Sequence, residues 1–202
     1  MAIRLRPLVS GLIIFLAIVI GLSFCDFGFA EEDGVKAPLK EVRISTGYGH
    51  AGLHHESKDY NLVPFYVQFG FDANPFFDNI NLNPPGDLRF TIEPSVGYVF
   101  SPGNNVETSI TFGMKYILPI TEKFKTYAEA GVGFLYTTQH MKFQSTQFNF
   151  QQSYEIGLLF HFSDDKAINV GYRAKHFSNG SIKEPNAGVD LSYVLCGITI
   201  FY

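Results

Sequence analysis

The sequence predicts an all-β fold, an eight-stranded antiparallel transmembrane β-barrel with a filled polar interior. Three observations carry this. Eight segments of about ten residues alternate apolar and polar side chains with period two. The composition is rich in Phe (21), Tyr (11) and Gly (19), lacks Trp, and is only 17% charged. In each segment the large apolar residues share one face, while Gly, Ser and ions of both signs share the other.

The first thirty residues read as an export signal rather than as fold. Arg4 and Arg6 form a basic start, Leu8 to Phe24 an apolar run, and Gly28-Phe29-Ala30 a small-residue cleavage site before Glu31. The rival reading is an uncleaved anchor helix. Cleavage removes Cys25 and leaves Cys196 alone, so no disulfide forms within a monomer. Residues 31–202 then form a single barrel domain. A net charge of -4 makes nucleic acid a poor partner. A mean hydropathy of +0.07 is too low for a helical membrane bundle.

The expected strands are 41–50, 61–71, 88–100, 106–118, 125–137, 153–162, 167–179 and 188–202. Turn chemistry separates them, as in Ser101-Pro102-Gly103-Asn104-Asn105 and Ser163-Asp164-Asp165-Lys166. The first sets Val42, Ile44 and Tyr48 against Arg43, Ser45 and Gly47. The second sets Val63, Phe65, Val67 and Phe69 against Tyr66, Gln68 and Gly70. In the third, Phe90, Ile92, Val96 and Tyr98 oppose Thr91, Glu93, Ser95 and Gly97. The fourth opposes Ile110, Phe112, Met114 and Tyr116 to Glu107, Ser109, Thr111 and Lys115. The fifth opposes Ala128, Ala130, Val132 and Phe134 to Tyr127, Glu129 and Gly131. The sixth opposes Tyr154, Ile156, Leu158 and Phe160 to Glu155, Gly157 and His161.

A soluble barrel would bury the greasy face and expose the polar one. Here the polar face is small-residued and its charges balance: Arg43, Lys115, Arg173 and Lys175 against Glu93, Glu107, Glu129 and Glu155. Buried ions need partners, and four of each sign can supply them. The apolar face ends in Phe and Tyr, as an aromatic girdle would. The expectation is therefore lipid outside and a plugged lumen inside; the alternative is a periplasmic barrel or sandwich with a greasy core. With both termini periplasmic, the long 72–87 connection falls on the side where short turns are usual.

The seventh strand places Ile168, Val170, Tyr172, Ala174, His176 and Ser178 on the lipid side. The eighth places Asp190, Ser192, Val194, Cys196, Ile198 and Ile200 there. Asp190 is the only charged outward residue within the eight expected strands. A carboxylate facing lipid is costly, by about 2–4 kcal/mol near the midplane and less at the interface. Antiparallel pairing supplies a reason for it. If His176 lies opposite Asp190, Ser178 lies opposite Gly188, and the facing Cβ atoms are about 4.5–5.5 Å apart. Asp190 can then hold the imidazole, His176 take a proton, and Ser178 act as nucleophile. Ser178 falls at the outer end of its strand, facing the outer leaflet.

At these residues the chain resembles a known family. Tyr172-Arg173-x-x-His176-x-Ser178-Asn179, followed by Pro185-Asn186-x-Gly188-x-Asp190, resembles the signature of the outer-membrane lipid A 3-O-deacylases (PagL-type acyloxyacyl hydrolases). The resemblance covers about the last thirty residues and implies hydrolysis of the ester-linked 3-O acyl chain of lipid A, without metal or nucleotide cofactor. It implies a Gram-negative outer-membrane location and lipopolysaccharide of the outer leaflet as partner, and leaves a homodimer open. By position, His176 is the general base and Ser178 the nucleophile. Asn186, with the backbone near Asn179 and Gly180, stabilises the oxyanion. The family's acid is usually Glu; this chain has Asp190, one methylene shorter, and Glu184 is the substitute candidate.

Other constellations point elsewhere. His50, His54, His55, Glu56 and Asp59 form a metal-like cluster that a polar outer loop explains better. Asn179-Gly180-Ser181 reads as turn residues, and Lys183 as a loop cation within reach of phosphate. The competing functions are a non-enzymatic barrel for adhesion or envelope structure and a hollow lipid-binding barrel.

Overall fold

The computed structural model describes residues 39–53, 58–78 and 85–202. The expected signal peptide and His54, His55 and Glu56 lie outside the described residues. Eight strands follow in order: β1 (Leu39–Ala51), β2 (Tyr60–Asp72), β3 (Asp87–Ser101), β4 (Asn105–Pro119), β5 (Phe124–Thr137), β6 (Phe148–Ser163), β7 (Lys166–Ser178) and β8 (Val189–Phe201). Each pairs antiparallel with the next, and β8 returns to β1 to close the barrel. Closure leaves no unpaired edge, as a sheet in lipid requires.

Seven of the eight expected strands agree with these bounds to within two residues at each end. The sixth begins at Phe148 rather than 153. Its alternation already follows the barrel, with Phe148 and Phe150 outward and Asn149 and Gln151 buried.

The apolar face points outward throughout. Val132, Ile156, Leu158, Val170 and Val194 are all at least half exposed on the outer wall. Aromatics crowd both rims: Tyr48 with Phe100 and Phe134 with Phe148 at one, Phe124 with Phe160 at the other. The periplasmic-barrel alternative would bury these side chains, and it fails on that point.

Inside, an ionic layer lies between two apolar plugs. Arg43 donates to Glu155 (3.0 Å), Glu93 (3.1 Å) and Glu129 (3.0 Å). Arg173 bridges Glu93 and Glu155 at 2.6 Å each, and Lys175 pairs with Glu107. Cation faces rest on rings as well, with Arg173 over Tyr66 at 4.4 Å and Lys115 over Tyr127 at 4.8 Å. The expected balance of four against four gains a fifth acid, Glu41, fully buried and 2.5 Å from Lys115. Above this layer lie Leu62, Leu135, Phe177, Tyr193 and Leu195. Below it lie Ile117, Leu159 and Ala167. The space is tight: a Cβ on Gly171 would fall 2.6 Å from the Tyr127 hydroxyl and 2.7 Å from Glu155 Oε1. A hollow barrel is thereby excluded.

The long β2–β3 connection contains a five-residue helix, α1 (Asn74–Asp78). Its start is tied to β3: Ala73 donates to the Leu88 carbonyl (3.1 Å), and Leu88 donates to Asn74 Oδ1 (3.2 Å). At the short β6–β7 turn, hydrogen bonds from Lys166 and Ser163 hold the exposed Asp165 carboxyl below its ordinary pKa.

Candidate active site

The outer rim of β7 and β8 joins the polar residues that the alternation left on the lipid side. His176 is the register partner of Asp190, so the condition set on their pairing holds. Its Nδ1 lies 2.7 Å from Asp190 Oδ1. The Asp190 side chain is 89% exposed, so its charge sits at the barrel's edge rather than in its core. Engagement of Nδ1 turns Nε2 away from the carboxylate. Neither Nε2 nor the Ser178 hydroxyl makes a hydrogen bond among the described residues; both residues line one groove.

Gly188 explains how the ring fits. Its φ is +71°, and a Cβ there would lie 2.6 Å from His176 Cε1 and 3.1 Å from Nε2. Any side chain would collide with the imidazole and strain the backbone as well.

The loop between β7 and β8 is heavily cross-braced. Asn179 donates its backbone N–H to Asn186 Oδ1 (2.9 Å) and its side-chain amide to the Lys183 carbonyl (2.7 Å). Asn186 Nδ2 reaches Ser181 Oγ only at 3.4 Å. The Gly180 N–H, at a φ of +64°, has no acceptor among the described residues. Glu184 accepts from the Asn186 backbone at 3.1 Å, within its own loop. The structure thus brings His176, Asp190 and Ser178 to one rim and turns Glu184 to a different task.

Sequence reading missed the brace beneath this loop. Gln144, in the β5–β6 loop, bridges to Asn186 and accepts from Gly188 N–H (3.1 Å). Ser145 donates to the Pro185 and Lys183 carbonyls, from its backbone (2.9 Å) and its hydroxyl (2.7 Å) respectively. Local sequence carries no sign of these contacts, because they join loops about forty residues apart. His50, from the metal-like cluster, bonds Asn61 at 2.8 Å on the outer wall.

A groove of about 610 Å³ runs from His176 and Ser178 across β6, β5 and β4 on the lipid-facing surface. Phe112, Val132, Phe134 and Phe150 supply its apolar walls, with Gln152 beside the histidine. Such a trough suits an extended acyl chain.

The family of lipid A 3-O-deacylases (PagL) matches over residues 24–199. The chain belongs to that family. The match extends the resemblance from the last thirty residues to nearly the whole length. Lipid A 3-O-deacylation at the outer membrane is the family's activity, and the closed barrel fits that setting. The fold is similar to the crystal structure of the outer membrane enzyme PagL, at 20% identity and a TM-score of 0.58, covering 78% of this chain and 97% of that one. It is also similar to Neisserial surface protein A (NspA), at 13% identity and a TM-score of 0.62, covering 80% and 96%. Both likenesses speak for the barrel; the family match separates a deacylase from a non-enzymatic barrel. Among curated proteins none matches the chain.

Proposed function

We propose that this lipid A 3-O-deacylase works as a serine esterase through Ser178, His176 and Asp190. The observation that carries the reading is the 2.7 Å contact between His176 Nδ1 and an outward-facing carboxylate at the rim. Asp190 fixes the tautomer that leaves Nε2 free to accept a proton. His176 takes the Ser178 proton as the hydroxyl oxygen attacks the ester carbonyl, and returns it to the departing sugar oxygen. Water then attacks the acyl-enzyme by the same route and releases the fatty acid. Catalytic hydrogen bonds are commonly loose before substrate arrives, so the unengaged Ser178 hydroxyl is consistent with this role.

Developing negative charge on the carbonyl oxygen needs donors. The Gly180 N–H and Asn186 Nδ2 are the available ones, whereas the Asn179 N–H is committed to Asn186. Asn179 thereby acts as the brace that presents Asn186. The acyl chain lies along the Phe112–Phe150 groove in the outer leaflet, and the sugar lies above the rim. Nothing in this chemistry requires a homodimer or a cofactor. Mass spectrometry of lipid A from cells expressing the protein or Ser178→Ala tests the reading. The native protein should remove one 3-hydroxyacyl chain and the variant none; identical spectra would refute it.

A further inference from the structure

Gln152 is an outward-facing amide on a wall otherwise built for lipid, and it lies at the one place where a substrate's polar group would meet it. It belongs to β6 and pairs across the strands with His176 on one side and Val132 on the other. Asp190, His176, Gln152 and Val132 therefore form one continuous cross-strand row on the outer face. Ser178 stands one pleat nearer the outer rim, opposite Phe150. Gln152 and Ser178 line the same groove.

Several outward polar groups return to a partner, although Thr108 and the Tyr154 hydroxyl do not among the described residues. Thr46 donates to the Pro64 carbonyl, Thr126 to the Gly157 carbonyl, and Tyr172 to Ser192 Oγ. The Gln152 side chain is exposed and makes no such bond among the described residues. A primary amide facing lipid with neither donor nor acceptor satisfied is unfavourable, and an apolar residue would serve the wall better. The pattern is that of a group left unpaired until something fills the groove.

The direction of the groove says what that something is. With the ester carbonyl at Ser178 and the chain descending past Phe150, the first few carbons pass directly beside Gln152. We propose that Gln152 is a specificity-determining residue that hydrogen-bonds a hydroxyl near the carboxyl end of the acyl chain and so favours 3-hydroxyacyl esters over unsubstituted ones. The proposal rests on the deacylase reading above, since it takes the position of the ester from Ser178. One neutral hydrogen bond at a lipid-exposed site corresponds to a preference of about 3- to 10-fold.

The test uses purified full-length protein in detergent micelles and two synthetic lipid A analogues. Their 3-O chains are of equal length, one 3-hydroxylated and one not. The wild type should show a kcat/KM ratio favouring the hydroxylated ester by about 3- to 10-fold. Gln152→Met, close in size and without hydrogen-bonding groups, should bring the ratio near one by lowering kcat/KM on the hydroxylated ester by about 3- to 10-fold more than on the unsubstituted one. An unchanged ratio, or an equal loss on both esters as expected of a residue that merely positions His176, overturns the proposal and leaves the deacylase reading standing. Failure of the wild type to cleave either ester overturns both.

Discussion

The molecule keeps two populations of carboxylates, and their surroundings are opposite. Glu93, Glu129 and Glu155 lie in the lumen, each almost fully buried and each held by Arg43, with Arg173 also on Glu93 and Glu155. Asp190 lies on the outer wall, largely exposed, with a single imidazole as partner. Charge in the core is shared among many groups, with each of these three carboxylates bound to at least one arginine. Charge at the rim is held by one titratable ring whose second nitrogen is free. The first arrangement seals a barrel; the second is fit to move a proton.

Substitutions that exchange charge for neutrality should therefore act in opposite ways at the two places. The largest effect belongs to the rim. Asp190→Asn keeps size but removes the charge that selects the tautomer and stabilises the imidazolium. Deacylation should fall by about 10²- to 10⁴-fold with thermal unfolding unmoved. Turnover within a few-fold of the wild type in a micelle assay would remove Asp190 from the mechanism.

In the lumen the corresponding change is Arg43→Met, which leaves three carboxylates facing one another without their shared cation. Breaking a buried ion cluster from one side costs about 3–5 kcal/mol. The expected result is a lower urea midpoint in micelles, read by tryptophan-free far-UV circular dichroism, with the activity of the remaining folded fraction preserved. An unchanged midpoint would mean that the layer contributes little to stability.

The same division explains what was legible before any coordinates. Strand phase follows from side-chain identity alone, because a one-residue slip would put Arg43 and Glu155 into lipid. Phase puts His176 and Asp190 on the same outer face, but their pairing stood as a condition on the register until the strand partners were seen. The Gln144 and Ser145 brace did not, since it depends on two loops meeting over the barrel mouth. Gln152 escaped notice for a different reason: it lies just before the expected start of the sixth strand, and only the longer β6 puts it in the row with His176. Glu41 was passed over as the first residue of its expected strand, although odd-numbered positions of that strand all face inward.

The smallest expected effect decides between two acids. Glu184 and Asp190 lie in the same stretch of sequence, and either could support a histidine on residue type alone. Their contacts differ: Asp190 reaches the imidazole, whereas Glu184 accepts a backbone N–H from Asn186 two residues along. Glu184→Gln preserves a carbonyl oxygen able to accept that same hydrogen bond, and so leaves the loop and the presentation of Asn186 largely intact. Its kcat should stay within about 3-fold of the wild type, the range of one altered hydrogen bond at an exposed loop. A loss as large as that of Asp190→Asn would transfer the acidic role to the loop, and would require the loop to swing toward His176 when substrate binds.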